Sequence, residues 1–146
     1  MAAIEREATC TWTGPLATGG GRIAAAGLPG VEVSLPTRLG DPGGATSPEE
    51  LLAAAHASCF AMALAAVLTH AEVPPGRLEV GCRVRMDEDP ERGFGVTGST
   101  IAVEADVDGL AREALEAAIV AADASCPYSA LLRDAGAEVV VGLKRP

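Results

Sequence analysis

Aromatic side chains are scarce in this sequence, which has one Trp, one Tyr and two Phe among 146 residues. Aromatic residues bury the largest areas in protein cores, so the core here must be aliphatic and rich in alanine. Hydrophobic residues still make up 49% of the chain, which argues against intrinsic disorder. Because small side chains bury little area each, this composition favours a chain that gains further burial by forming a dimer.

Positive charge is scarce as well: 11 Lys and Arg face 20 Asp and Glu, for a net charge of −9. Binding to nucleic-acid phosphates needs a basic surface, so we expect no nucleic-acid partner. The first residues, MAAIEREATC, carry Glu and Arg where a signal peptide would need an apolar run. We therefore expect a cytoplasmic protein, whose four cysteines are reduced thiols or a catalytic pair rather than a disulfide framework.

Several motifs of nucleotide and hydrolase sites are missing, among them a P-loop, GxGxxG opening a helix, GxSxG and CxxC. One long apolar run is present, from Leu51 to Leu68. It is interrupted by His56, Ser58 and Cys59 and lacks flanking basic or aromatic anchors. We expect a helix buried on all sides inside a soluble protein, with no membrane insertion.

The order of predicted elements indicates an α+β fold with antiparallel sheets. Period-two alternation predicts strands over residues 5–13, 77–88 and 95–107, and the segments GRIAAAG, VEVSL and AEVVVGL read as short strands. Helices are predicted over residues 48–70 and 110–124, with a short one up to Arg133. No linker or repeat divides the chain, so the order βββ-α-ββ-αα-β predicts one domain over residues 1–146.

The long helix has a clear start signal. Ser47 is placed to be its N-cap, Pro48 suits the first helical position, and Glu50 falls where a capping box needs it. Glu50 therefore has a structural explanation, whereas Glu49 is explained only weakly by the helix dipole. Glu49 and Cys59 lie about 15 Å apart along a straight helix, so a site that joins them needs two protomers or a bent helix.

Two cysteines occupy contrasting settings. Cys59 lies within the apolar run PEELLAAAHASCFAMALAAVL, where desolvation would raise the thiol pKa and leave it inert unless a cation restores the thiolate. Cys126 precedes Pro127 and is predicted to be the N-cap of the short helix, where the helix dipole favours a thiolate. A core cysteine and an ordinary turn cysteine remain the structural alternatives.

Other polar residues have structural explanations beside functional ones. Arg38, just before a Gly-rich loop, is either a surface residue or a cation for a site. His56 and Cys59 have the spacing of metal ligands, but a structural zinc site needs about four, so His56 is expected at the helix surface or as a satisfied buried histidine. Cys10 and Cys82 fall on the inward faces of predicted strands, where core packing explains them.

Three segments together resemble the OsmC/Ohr family of thiol-dependent peroxidases: TSPEELLAAAHASCFAMAL, ASCPYS and ATCTWTG. The likeness covers nearly the whole chain in the family's order. HASCFAMAL and Thr37-Arg38 are more similar to the OsmC branch, and CPYS is shared with the Ohr branch. The resemblance implies the OsmC-like fold, with antiparallel sheets around long central helices in an intertwined homodimer that has two sites at the subunit interface.

The resemblance also implies roles for individual residues. Cys59 corresponds to the peroxidatic cysteine, Cys126 to the resolving cysteine and Glu49 to the carboxylate that precedes the reactive cysteine by ten residues. Arg38 matches the OsmC arginine, although the loop to Glu49 is one residue longer than usual. Arg22, in TGGGR, resembles the arginine of the Ohr pattern; we favour Arg38.

The implied chemistry reduces organic hydroperoxides through a Cys59 sulfenic acid and a Cys59–Cys126 disulfide, which an external lipoyl-type or other dithiol reduces. Phe60 and Met62 near the site would favour alkyl or lipid hydroperoxides, and no cofactor or metal is expected. Two other functions are weighed: a non-catalytic dimer that binds a lipophilic ligand or senses redox state, and a zinc protein that uses His56 and Cys59.

Overall fold

A computed structural model describes residues 3–146 and divides the chain into two compact units, Met1–Leu51 and Leu52–Pro146. Two three-stranded sheets and four helices give the α+β class that the sequence predicts. The order of elements is βββ-αα-ββ-αα-β, which adds one short helix to the predicted order. A single domain over residues 1–146 stays a prediction.

The N-terminal unit contains an antiparallel meander of three strands, β1 Ala8–Thr13, β2 Gly20–Ala25 and β3 Leu28–Val33. Residues 5–7, predicted as strand, lie before β1. The segment GLPG, predicted to separate the second and third strands, instead contributes most of its residues to the start of β3. The turn therefore tightens to Ala26 and Gly27.

Cys10 corrects the expectation of an inward-facing core residue. All six residues of β1 are exposed, and Cys10 with them. The strand is at the edge of its sheet, and alternation alone cannot tell which face of a strand is covered by a second layer. Cys82, on the other sheet, is half-buried and packs against the hydrophobic core as expected.

A short helix, α1 Leu35–Leu39, follows β3 and was not predicted. The Ser34 hydroxyl accepts the Thr37 backbone N–H at 3.2 Å, and the Thr37 hydroxyl accepts the Ser34 N–H at 3.1 Å. This reciprocal cap, with Pro36 in the first turn, is a helix-start signal present in the sequence. Its consequence is that Arg38 lies in the last turn of a helix rather than in an extended segment.

The long helix, α2 Pro48–His70, begins and ends where the sequence predicts. The Ser47 hydroxyl accepts the Glu50 backbone N–H at 3.1 Å, as an N-cap should. The Glu50 carboxylate accepts a hydrogen bond from the Thr46 hydroxyl at 3.1 Å, one residue earlier than a capping box predicts. Glu50 is thus occupied at the helix start, and Glu49 extends from the same first turn.

The second sheet is built by β4 Arg77–Asp89, β5 Gly93–Asp106 and β6 Glu138–Leu143. β4 and β5 form an antiparallel hairpin, whereas β6 pairs with β5 in parallel, which corrects the expectation of wholly antiparallel sheets. The reason is the crossover of two helices, α3 Arg112–Ser125 and α4 Pro127–Asp134, since a helical connection returns the chain to run parallel. Gly136, with a φ of 89°, ends α4 before β6.

The core of the second unit lies between one face of α2, the sheet and α3. Phe60, Leu64 and Leu68 recur every four residues along α2 and are at most 1% exposed. Their packing partners are the inward residues of β5, such as Ile101 and Val103, together with three residues of α3 and Cys126. The three residues of α3 are Ala118, Ile119 and Ala122.

The remaining surface of α2 is apolar but uncovered in the single chain. Of the helix's most apolar 18 residues, 22% are buried, and Met62 is 67% exposed. The expectation of a helix buried on all sides is therefore wrong for one chain, because one helix face suffices for the core while Ala, Leu and Met surround the whole helix. By length and composition alone, α2 is able to cross a membrane.

Two neighbouring residues of α3 test this assignment of the core. Ile119 is 2% exposed and Val120 is 66% exposed. We expect Ile119→Ala to lower the free energy of unfolding by about 2–5 kcal/mol because it leaves a cavity. Val120→Ala, the matched control, should change it by less than about 0.5 kcal/mol. Urea unfolding at one protein concentration measures both, and equal losses would contradict the packing described.

Candidate functional site

The structure brings Cys59 and Cys126 together from distant parts of the sequence. Cys59 lies on α2 and is half-buried, and Cys126 is 1% exposed between α3 and α4. Cys59 packs against the core cluster that contains Cys126, and it lines a cavity with Ser125 and Pro127, the two chain neighbours of Cys126. Both cysteines are free rather than joined in a disulfide. The disulfide that the resemblance implied stays a prediction.

The Cys126–Pro127 sequence explains the position of the second thiol. A residue before proline is disfavoured in the helical region, and Cys126 has an extended conformation with φ −80° and ψ 112°. α3 and α4 consequently meet at an angle of 63°. Cys126 is the N-cap of α4 with Pro127 at the first helical position, as predicted, so its thiol is held at the bend between two helices.

The surroundings of Cys59 favour a neutral thiol. Burial raises the pKa of Cys59, the Tyr128 backbone N–H lowers it, and the neighbouring Cys126 raises it further. None of these three influences comes from a cation. Since the thiolate is the nucleophilic form, a reaction at Cys59 requires a positive charge in addition to the groups that set this pKa.

An open cavity of about 680 Å³ lies beside Cys59 and is lined mainly by apolar atoms. Met62 contributes to it as the sequence suggested, but Phe60 does not, because its side chain is fully buried in the core. The other lining residues come from α2 and the α3–α4 bend: Ala63, Ala66, Val67, His70, Ser125 and Pro127. The cavity is suited to an apolar molecule whose reactive atom approaches Cys59.

Arg38 and Glu49 form a second pair, within the N-terminal unit. Arg38 Nε donates to both oxygens of the Glu49 carboxylate at 3.1 Å, and its Nη2 donates to Oε1 at 2.5 Å. This hydrogen bonding lowers the pKa of Glu49 against the opposing effect of burial, and it raises the pKa of Arg38. The two side chains are 36% and 18% exposed, so the pair is a fixed guanidinium–carboxylate unit at a partly accessible surface.

Arg22, the alternative to Arg38, has a different environment. It pairs with Glu32 across β2 and β3 at 2.8 Å, and both side chains are more than 60% exposed. Its guanidinium lies so close to Gly30 that a Cβ there would be 2.3 Å from Nη2. Arg22 is therefore a surface residue laid across its own sheet.

His56 is a satisfied buried histidine, one of the two positions expected for it. Its Nδ1 lies 2.8 Å from Ser99 Oγ, and its Nε2 lies 2.9 Å from Ser129 Oγ. Burial lowers the pKa of His56; the charge of Asp123 raises this pKa by a smaller amount, and the charge of Arg133 lowers it. Hydroxyl groups contact both ring nitrogens of His56. Within residues 3–146 there is no group of three or more His, Cys, Asp or Glu side chains that could bind a metal ion.

Sequence reasoning missed the partners of His56. Ser99 lies on β5, Ser129 lies in the first turn of α4, and Cys82 Sγ is 3.3 Å from Ser99 Oγ. The only local signal was a serine inside the CPYS segment, and no periodicity connects it to a histidine on another helix. The four predicted site residues thus form two pairs, Arg38–Glu49 and Cys59–Cys126, whose catalytic roles stay predictions.

Comparison with known proteins identifies relatives of this chain. The peroxiredoxin OsmC of Escherichia coli (strain K12) is 36% identical over 88 residues, which are 60% of this chain and 61% of that protein. The chain thus spans about three fifths of this relative's length. An organic hydroperoxide resistance protein of Xanthomonas axonopodis pv. citri is 33% identical over 100 residues, 67% of this chain and 68% of that one.

Solved structures show the same relationship over the full length. The crystal structure of an organic hydroperoxide resistance protein OsmC from Legionella pneumophila superposes with a TM-score of 0.78 at 28% identity, covering 99% of this chain and 100% of that one. The sequence model of the OsmC-like protein family matches residues 40–141, a range that includes Glu49, Cys59 and Cys126. The chain belongs to the OsmC-like protein family.

Proposed function

We propose that this protein is a cysteine-based peroxidase that reduces organic hydroperoxides to alcohols. The observation that carries the proposal is the placement of Cys59 and Cys126 in one packed cluster beside an apolar cavity. The names of the two relatives, a peroxiredoxin and an organic hydroperoxide resistance protein, support the same class of activity. The apolar lining of the cavity favours alkyl or lipid hydroperoxides.

The proposed reaction has three steps. The Cys59 thiolate attacks the terminal oxygen of the hydroperoxide; the O–O bond breaks, the alkoxide leaves as the alcohol after protonation, and Cys59 becomes a sulfenic acid. The Cys126 sulfur then attacks the Cys59 sulfur, forming a disulfide and releasing water. An external dithiol, of the lipoyl type or another, reduces the disulfide by thiol–disulfide exchange. No metal or organic cofactor takes part in this scheme.

The cation for the Cys59 thiolate is, in this proposal, Arg38. A guanidinium does not lose its proton in a protein, so it favours a thiolate even in an apolar setting. Glu49 holds the guanidinium in one orientation through its hydrogen bonds. Because Glu49 and Cys59 are about 15 Å apart along a straight helix, we propose that the ion pair of one protomer serves Cys59 of the other.

A homodimer is supported by the uncovered apolar surface of α2. Large exposed apolar patches on a soluble protein mark interaction sites, and a second copy of the chain would remove this surface from water. A cytoplasmic location is part of the proposal, because a reducing compartment keeps the thiols available for the reaction. The proposed function includes neither a nucleic-acid partner nor insertion in a membrane.

The cysteines give the first test. With one equivalent of cumene hydroperoxide, wild-type protein should form a Cys59–Cys126 disulfide in stoichiometric yield. Cys59→Ser should consume no hydroperoxide, and Cys126→Ser should be oxidised at Cys59 without forming that disulfide. Mass spectrometry of tryptic peptides identifies the paired cysteines. Cys10→Ser, at an exposed cysteine of β1, is the matched control and should behave as wild type.

The opposite result would favour a different function. If wild-type thiols stay free after oxidant is added, while Cys59→Ser and wild type bind fatty acids equally well, the protein is a lipophilic-ligand-binding dimer without peroxidase activity.

The arginine gives the second test. Arg38→Ala should slow oxidation of Cys59 at pH 7 by about 100-fold or more, comparable to the loss of a preorganised charge-stabilising donor. Without the guanidinium the pKa of the thiol rises, so the rate profile of the variant should move to higher pH. Arg22→Ala, in which a surface guanidinium is removed, should stay within about twofold of wild type. Stopped-flow rates across pH measure both, and a large loss in Arg22→Ala alone would assign the cation to Arg22.

Mixed dimers test whether the two pairs come from different protomers. Arg38→Ala and Cys59→Ser proteins, each inactive alone, should regain activity when dissociated together and reassembled. Random pairing yields mixed dimers in which one of two sites is complete, so about a quarter of wild-type activity is expected for a twofold dimer. No recovery, with mixed dimers demonstrated by native mass spectrometry, would place Arg38 and Cys59 of one chain in the same site.

A further inference from the structure

A buried polar bridge runs beside the two thiols and is not used in the reaction scheme. His56 is fully buried, and its two ring nitrogens contact Ser99 on β5 at 2.8 Å and Ser129 on α4 at 2.9 Å. Ser99 and Ser129 are themselves at most 1% exposed. Every group of the bridge is hydrogen-bonded, so the bridge joins α2, β5 and α4 with defined geometry.

The His56–Ser129 contact and the Cys59–Cys126 pair are separated by the same number of residues on both helices. His56 lies three residues before Cys59 on α2, and Ser129 lies three residues after Cys126, in the first turn of α4. Residues three apart are neighbours on a helix surface. α2 and α4 are therefore close at two adjacent places: Cys59 packs against the core cluster that contains Cys126, and the His56 imidazole contacts the Ser129 hydroxyl.

α4 has little else on its inner face to hold it. Among its eight residues, Ser129 and Leu132 are buried, while Tyr128 and Leu131 are exposed. Arg133 pairs with Asp123 of α3 at 2.5 Å, which restrains the distal end of α4. The end that carries Cys126 is held by the burial of Cys126 in the core, by the bend at Pro127 and by the contact of Ser129 with His56.

Disulfide formation is sensitive to this placement. A disulfide needs a sulfur–sulfur distance of about 2.05 Å and Cα atoms about 4.4–6.8 Å apart. A displacement of about 1 Å in a reacting group can slow a reaction by about 100-fold. A group that fixes the first turn of α4 therefore influences the second oxidation step, in which Cys126 reacts, more than the first, in which the Cys126 sulfur forms no bond.

We propose that His56 is a positioning residue for the resolving step: through Ser129 it holds Cys126 where it can attack the Cys59 sulfenic acid. The inference rests on the proposed peroxidase function. In this step the Cys126 sulfur bonds to the Cys59 sulfur, the sulfenic S–O bond breaks, and the hydroxyl leaves as water with the thiol proton. His56 gains or loses no proton or electron in this step and acts only through Ser129.

Two substitutions of the same kind separate positioning from stability. Ser129→Ala and Ser99→Ala each remove one hydroxyl from the same buried imidazole, so both should lower the midpoint of urea unfolding to a similar extent. Only Ser129 belongs to the helix that carries Cys126. Ser129→Ala should therefore slow disulfide formation by about 10- to 100-fold, whereas Ser99→Ala should stay within about twofold.

Changes at the histidine provide a second pair in case an alanine variant fails to fold. The amide of glutamine can occupy the position of Nε2, so His56→Gln should keep the contact with Ser129 and resolve as fast as Ser99→Ala. The amide of asparagine reaches only the position of Nδ1, so His56→Asn should resolve as slowly as Ser129→Ala.

The two oxidation steps are measured separately. After one equivalent of cumene hydroperoxide, trapping with dimedone reports the Cys59 sulfenic acid, and mass spectrometry at timed intervals reports the disulfide. The rate of the first step should agree among all four variants and wild type within about twofold, and the sulfenic acid should accumulate in Ser129→Ala and His56→Asn.

Equal resolving rates in Ser129→Ala and Ser99→Ala would overturn the proposal, as would equal slowing of both steps. Failure of the peroxidase function itself would appear differently, as wild-type protein that forms neither sulfenic acid nor disulfide.

Discussion

The desolvation of one sulfur atom is the constraint on which the rest of the site depends. Cys59 lies on a helix made almost entirely of Ala, Leu and other apolar residues, and burial raises the pKa of its thiol. The nearest influences are a backbone N–H of Tyr128 and a second thiol, which do not supply a charge. A reactive thiolate in this place requires a cation, and we propose the Arg38–Glu49 pair for that task. Burial of α2 therefore stabilises the fold but disfavours the thiolate form of Cys59 that the reaction needs.

Cys126 is positioned by a local interruption of helical structure. Pro127 ends α3, sets Cys126 in an extended conformation and turns the chain by 63° into α4. The short helix that follows buries two residues, Ser129 and Leu132. The hydrogen bond from Ser129 to the buried His56 adds to the packing of Leu132, and hydrogen bonds restrict geometry more narrowly than apolar contacts do.

The scarcity of aromatic residues has a visible consequence in the fold. One face of α2 supplies Phe60, Leu64 and Leu68 to the core, and the rest of the helix is left apolar and open in a single chain. An ordinary surface helix would carry charges there. The same small residues that limit burial within one chain permit close approach of another, which relates the composition to the proposed dimer and to a site shared between protomers.

The sequence by itself determined the features that depend on neighbours within a few residues. The Ser47 cap of α2, the alternation of β4 and β5 and the helix start at Cys126–Pro127 are confirmed, and the cap of α1 at Ser34 was equally readable. Tertiary structure alone decided that β6 pairs in parallel, that Cys10 is exposed and that His56 is joined to Ser99 and Ser129. The physical reason is that periodicity defines the faces of a helix or strand, whereas the element that covers each face is chosen by packing between residues far apart in the chain.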